Sequence, residues 1–274
     1  MALTVRTNIA SIMAAGKLNS TSNSLGSTLG RISSGLRINS AADDAAGLGV
    51  ATNLESKVIS TRQAMRNAND GMSVIQTAEG ASNEVVDILQ RMRELAVQSS
   101  SETLSDDERS FITDEFTELR DEVARIAAST EFNGLQITDG TNTQLDVQVG
   151  INNSSNSRIT IDLGDLTTTT LGLTAAGLST VTTAQSAIDT IDTALDSVNS
   201  YRSDLGAAQN RLDSAINNAQ VNVEALSGAR SQIQDADFAY ETSEMTKQQI
   251  MQQAGVAALA QAKGMTQAVV SLLQ

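Results

Sequence analysis

The sequence predicts a mainly α protein: long heptad-patterned helices forming a coiled-coil-like rod, a small β-hairpin region, and a two-helix terminal domain. Three observations carry this reading. Apolar residues recur at alternating steps of three and four along most of the 274 residues, the spacing that keeps one helical face buried. Proline is absent, so no ring or missing N–H interrupts a helix. The apolar period changes to two only within a short central stretch.

Taken in order, Leu18, Leu25, Leu29, Ile32 and Leu36 set the stripe of a first helix. A second helix is expected over 43–100, with Val74, Ala78, Ala81, Val85, Ile88, Met92 and Leu95 as its buried line. The sequence SDDE then opens a helix over 105–129: Ser105 caps it, Glu108 reaches back, and Asp106 and Asp107 favour the positive end of the helix dipole. Its stripe is Ile112, Phe116, Leu119, Val123 and Ile126. Residues 131–164 form the β-hairpin region. Leu145, Val147, Val149 and Ile151 alternate with polar residues or glycine, as do Ile159, Ile161 and Leu163, and Asn133-Gly134 and Asp139-Gly140 signal turns. The tract DLTTTTLGLTAAGLSTVTT has no clear period and reads as a surface loop, with Thr167 to Thr170 as candidates for O-glycosylation.

The last long helix is expected over 182–235. Its seam runs through Ile188, Ile191, Leu195, Val198, Arg202, Leu205, Gln209, Leu212, Ile216, Ala219, Val223, Leu226, Arg230 and Ile233. That is roughly 70 Å of helix at about 1.5 Å per residue, and such a repeat requires supercoiled packing against other helices. Arg202, Gln209 and Arg230 are read as register-setting or snorkelling positions. The division of the chain follows: residues 1–42 with 236–274 as a discontinuous terminal domain, and 43–235 as the rod.

Composition removes most chemistry. With no cysteine and no histidine, thiolate and imidazole catalysis and the usual zinc sites are excluded. Asp43 and Asp44 form an acidic helix start rather than a catalytic pair. Asp139, Thr141 and Asn142 lack the glycine and distal glutamate of a calcium loop. No enzyme activity, metal or cofactor is expected. Residues 1–42 hold four basic residues and no acid, and 245–274 hold two lysines and no acid. All 32 acids lie between, against 12 basic residues. So acidic a middle repels nucleic acid. No apolar run is long enough to cross a membrane, and MALTVRTNIASIMAAGK is not an ordinary secretory signal.

The ends themselves need a partner. In GMTQAVVSLLQ, residues 264–274, Val269 with Leu272 and Val270 with Leu273 lie on adjoining helical faces, so a single partner helix leaves some of them in water. Apolar, acid-free ends of this kind fit the inner wall of a polymer. Its core is expected to include Leu25, Leu29, Ile32, Leu36, Leu259, Met265, Val269, Leu272 and Leu273.

Motifs across nearly the whole chain resemble the bacterial flagellins: SSGLRINSAADDAAGL (33–48), RNANDGMSVIQTAEGA (66–81), QRMRELAVQS (90–99), EFNG (131–134), ARSQIQDADFAYETSEMTKQQIMQQAG (229–255) and the closing SLLQ. The common family ending has arginine where Gln274 stands. With only a short tract between the β region and the returning helix, the chain is similar to the short form that lacks variable outer domains. The resemblance implies a subunit that polymerises into the flagellar filament for swimming. It implies export without a cleaved signal peptide, through the flagellum's own type III route, to an extracellular location. The implied partners are further copies of the chain, an export chaperone on the C-terminal segment, and the filament cap and junction proteins. It also implies that released monomer meets the host's flagellin-sensing Toll-like receptor through Gln90, Arg91 and Leu95, with Glu115 on the neighbouring helix. The alternative is a hook–filament junction-type axial protein.

Overall fold

Each helix starts on a short polar side chain that accepts a hydrogen bond from the exposed N–H groups of the first turn. A computed structural model describes residues 7–271, and for 265–271 the helix only. In it α1 is Ile9–Ser34, α2 Ala45–Ser99, α3 Asp106–Ser129, α4 Val181–Gln234 and α5 Phe238–Ser271. Asn8 accepts from the Ser11 N–H at 3.0 Å, Asp44 from Gly47 at 2.8 Å, Thr180 from Thr183 at 3.2 Å and Asp237 from Ala239 at 2.9 Å. The capping box on α3 is complete, with Glu108 accepting from the Ser105 N–H at 2.9 Å. Those hydrogen bonds, the backbone one first, hold the Glu108 carboxyl below the ordinary glutamate range. At the other end of α1, Gly35 takes φ 73° and its N–H reaches the Arg31 carbonyl at 2.8 Å, a left-handed stop that suits a residue without Cβ.

The strands β1 (Glu131–Phe132) and β2 (Leu135–Gln136) pair antiparallel around Asn133-Gly134, whose φ values are 52° and 78°. Two left-handed residues are what a tight two-residue hairpin needs. The strands β3 (Gln144–Gln148) and β4 (Arg158–Asp162) pair with Leu145 opposite Ile161 and Val147 opposite Ile159. The alternation stops before Ile151, which is exposed.

Packing divides the chain into two units, 1–56 with 225–274, and 57–224. The divisions fall inside α2 and α4 rather than at the helix breaks. The segments at those breaks are tied to each other: Arg37 N–H donates to the Gln234 carbonyl at 2.7 Å, and Ala236 N–H to the Gly35 carbonyl at 2.9 Å.

The larger unit holds one hydrophobic core drawn from α2, α3, α4, the β3–β4 hairpin and the loop after it. The packing corrects three sequence expectations. On α4 the fully buried line is Ala184, Ala187, Ile191, Ala194, Val198, Tyr201, Leu205, Ala208, Leu212 and Ala219. The heptad period is as expected, but the alternate positions lie one residue earlier. Ile188, Leu195, Arg202, Gln209 and Ile216 flank the seam half-buried, because small alanines occupy the tightest approach. On α2, Ile75, Leu89 and Ala96 are buried beside Val85, Met92 and Leu95, so two faces of this helix are covered. The threonine-rich tract is no surface loop throughout: Leu166, Leu171, Leu173 and Leu178 are all buried in the core. Their spacing follows neither helix nor strand because turns present them, one at Gly172 with φ 72°.

Polar groups fix the ends of this core. Arg109 is buried, with its guanidinium on the Ser99 hydroxyl and on the Ser101 and Leu104 carbonyls, all at 3.4 Å. Ser99 in turn donates to the Leu178 carbonyl at 2.9 Å. On the surface, Arg93 of α2 pairs with Asp192 of α4 at 2.6 Å.

Candidate functional site

Two surfaces bring together the residues expected to matter. The first belongs to the terminal unit, where α1 and α5 pack along each other. Gly255 permits close approach: a Cβ there would sit 3.3 Å from Leu18 Cδ1. The pair is anchored by polar contacts. Arg31 reaches Glu241, which is 4% exposed, at 3.5 Å, and Asp43 at 4.0 Å. Asn8 donates to the Ala262 carbonyl at 2.9 Å; elsewhere in the same unit Arg37 donates to the Ile233 carbonyl of α4, and Arg230 of α4 pairs with Glu55 of α2. Asp43 and Asp44 serve their own backbone: Asp43 accepts from the N–H groups of Ser40 at 2.9 Å and Asn39 at 3.2 Å. Those bonds, that to Ser40 first, hold its carboxyl below the ordinary aspartate range.

Apolar burial within this pair is thin. Thr28 is the one residue of α1 that is fully buried among those described. Large apolar side chains point outward instead: Ile9, Ile12 and Met13 on one face of α1, and Phe238, Tyr240, Ile250, Met251 and Val256 on α5, where they do not share a face. Ile12 and Ile250 are each 62% exposed. Of the expected polymer-core residues, Leu29 is exposed, while Leu25, Ile32, Leu36 and Leu259 are half-buried. Met265 and Val269 lie in α5 with side chains outside the described residues, as Leu272 and Leu273 lie wholly outside them. The outward residues Ile9, Ile12, Met13, Phe238 and Tyr240 were not singled out in the sequence. Periodicity marks residues that face a partner within one chain, and these are exposed in the monomer.

The second surface lies on α2 and α3. Arg91 Nη2 meets Glu115 Oε1 at 2.7 Å and Nη1 meets Glu94 at 3.0 Å. The pairing with Glu115, then Glu94, pushes the Arg91 guanidinium further above its usual range. Gln90 is exposed beside it. Leu95, which the resemblance also implies for the contact, is only 2% exposed. It packs in the core, as its place on the heptad stripe predicts, and supports the helix from beneath; the direct contact implied for it is corrected. Asp139 accepts from the Thr141 N–H at 3.0 Å and from its hydroxyl at 2.6 Å, a local turn. Among the described residues no cluster of acids is placed to hold a metal, and no helix is long and apolar enough to cross a membrane.

Two paired terminal helices with outward apolar faces, and a separate helical core unit, are matched by two family models. The bacterial flagellin N-terminal helical region matches residues 5–143, and the bacterial flagellin C-terminal helical region matches 188–273. The chain belongs to the bacterial flagellins. It is 42% identical to a flagellin of Halalkalibacterium halodurans over 89% of this chain and 90% of that one. It is 40% identical to a flagellin of Xenorhabdus nematophila over the full length of both. It is 36% identical to the flagellar filament 33 kDa core protein of Treponema phagedenis over 97% of this chain and 98% of that one. A solved Bacillus cereus flagellin shares 32% identity at a TM-score of 0.50, covering 56% of this chain and 88% of that one. This flagellin is therefore a structural subunit of the flagellar filament, which lies outside the cell, and not an enzyme. Only residues 144–187 separate the two family regions, so it is of the short form without a further domain there.

Proposed function

We propose that this flagellin polymerises by burying the outward apolar faces of α1 and α5 against other copies, forming the core of a filament turned for swimming. The observation that carries this is the exposure of Ile12, Met13, Ile250 and Val256 on helices already paired with each other. Burying one such side chain is worth about 1.5–3 kcal/mol, and a helical polymer repeats the gain at every subunit. Charge agrees: the first 42 and last 30 residues hold no acid and only six basic residues, so crowded copies repel only weakly through them.

The test is seeded assembly followed by sedimentation, with electron microscopy of the pellet. Ile12→Glu and Ile250→Glu should each raise the critical concentration steeply while circular dichroism stays unchanged. Normal filaments from the double variant would refute the role of this face. A junction-type axial protein would not extend into long filaments on its own, so the micrograph separates the two readings.

The same reading extends to handling before assembly. The chain travels unfolded through the flagellar type III route, guarded by an export chaperone on its C-terminal segment, and meets the cap and junction proteins at the filament end. The Gln90, Arg91 and Glu115 face of released monomer is the contact proposed for the host flagellin-sensing Toll-like receptor, and Leu95 acts through its packing.

A further inference from the structure

In the larger unit, four surface arginines already sit on a carboxylate. Arg91, Arg93, Arg120 and Arg125 pair with Glu115, Asp192, Asp121 and Glu122 at 2.5–3.1 Å. Arg62, Arg66, Arg158, Arg202 and Arg211 do not. Arg158 donates only to neutral amide oxygens, to Gln148 at 3.1 Å and Asn153 at 2.9 Å. Arg211 has no partner among the described residues. Yet these two, one from β4 and one from α4, line the same open groove of about 640 Å³. No carboxylate lines it; Val149, Ile159 and Ala215 supply apolar wall, and Ser214 a hydroxyl. In a chain of net charge −14, two guanidiniums on one groove with no anion between them repel each other until an anion arrives. Planar guanidinium forks hold carboxylates well, and the apolar wall suits the short aliphatic stem of an acidic side chain.

We propose that the groove of Arg158 and Arg211 binds carboxylate side chains of a second copy, and that Asp114 and Glu118 of α3 supply them. The assignment to a second copy rests on the polymer reading above. Asp114 and Glu118 are exposed, stand four residues apart and so share one helical face. Neither has a partner among the described residues. The α3 helix holds eight acids against three arginines, so its surplus matches the unneutralised pair on the groove.

The experiment is a charge exchange. Arg158→Glu/Arg211→Glu and, separately, Asp114→Lys/Glu118→Lys should each raise the critical concentration about five- to tenfold at low salt, with unchanged circular dichroism. Arg158→Lys/Arg211→Lys, which keeps the charge but loses the planar fork, should fall between the parent and the charge reversal. Placing all four reversals in one chain should restore assembly to within about twofold of the parent. Arginine side-chain NMR of the monomer titrated with glutarate reads the groove without assembly. Shifts at both arginines without rescue by the exchange would assign the groove to a free small carboxylate and overturn the second copy. No shift and no rescue would overturn the site. A parent chain that fails to polymerise at all would instead sink the polymer reading and the second copy with it, leaving the glutarate arm to decide the anion site.

Discussion

The ring of Tyr201 on α4 occupies the space where a side chain at position 164 would begin: a Cβ on Gly164 would lie 2.7 Å from Tyr201 Cγ. This contact closes the core where the chain leaves β4. Burial pushes the Tyr201 hydroxyl above its ordinary range, partly offset by the Gly164 backbone. Gly164→Ala must therefore displace the ring. The expected cost is about 1–3 kcal/mol, a fall in melting temperature of roughly 2–10 °C. An unchanged melting curve would mean that the ring does not pack there.

The position of the α4 seam predicts a contrast between neighbours. Leu212 is fully buried, so Leu212→Asp leaves an unpaired charge in the core, costing several kcal/mol, on the order of 3 or more. Ala208 is buried and Gln209 is only half-buried. Ala208→Leu should overpack the seam by about 1–3 kcal/mol, while Gln209→Leu should change stability little. Urea unfolding of the two leucine variants decides it; equal effects would return the seam to the position read from the sequence.

That one-residue difference shows what the sequence makes legible. Helix existence and ends were readable because caps and heptads are local: Ser105 with Glu108, Asn133 with Gly134, and the step of seven from Ile191 to Leu212. The exact seam was not, because large residues such as Ile188 and Leu195 outweigh Ala187 and Ala194 in any hydrophobic pattern, although helices approach most closely at alanine. The buried leucines 166, 171, 173 and 178 escaped for a related reason, since turns rather than a repeat bring them to the core. On the site, the motif named Arg91 and Glu115, which an ion pair joins, while for Leu95 the heptad stripe, not the family contact, gave the right direction, inward.

Acid should loosen the turn between α1 and α2. The depressed pKa of Asp43 comes from hydrogen bonds that only the charged form accepts in full. The folded value lies below the unfolded one, near about 3.9. The contribution is thus complete above that value and is lost as pH falls through the lower, folded value. Hydrogen exchange at the Asn39 and Ser40 amides, followed from pH 5 downward, should show protection falling in that window. Asp43→Asn should show weak protection at every pH. A parent profile flat to the lowest pH would contradict the linkage.

Receptor recognition and folding should separate between Arg91 and Leu95. Arg91 is half exposed in its side chain and its ion pairs are with exposed partners, so Arg91→Ala should leave the melting temperature within about 2 °C, as surface changes usually do. If the proposed contact is right, the monomer's receptor signalling should still fall severalfold. Leu95→Ala opens a cavity and should cost about 2–5 kcal/mol, lowering signalling only in step with unfolding. A stable Arg91→Ala monomer with full signalling would remove Arg91 from the contact.

The last seven residues should govern assembly without governing the fold of the larger unit. Deleting 268–274 removes Val269, Val270, Leu272 and Leu273, about 6–12 kcal/mol of gross burial per subunit if assembly covers them. The core of the larger unit is built from residues between Ala68 and Leu212 and uses none of the deleted side chains. Its unfolding transition should therefore keep its midpoint, while sedimentation after seeding shows the critical concentration rising steeply. The upstream part of α5 already shows why one partner cannot suffice: Phe238, Ile250 and Val256 are more than half exposed although α1 lies against that helix. In the intact monomer, amides of 265–271 should exchange quickly, and in the filament slowly. Strong protection in the monomer would mean that something other than assembly covers this end, and filaments of normal stability from the truncated chain would mean that nothing needs to.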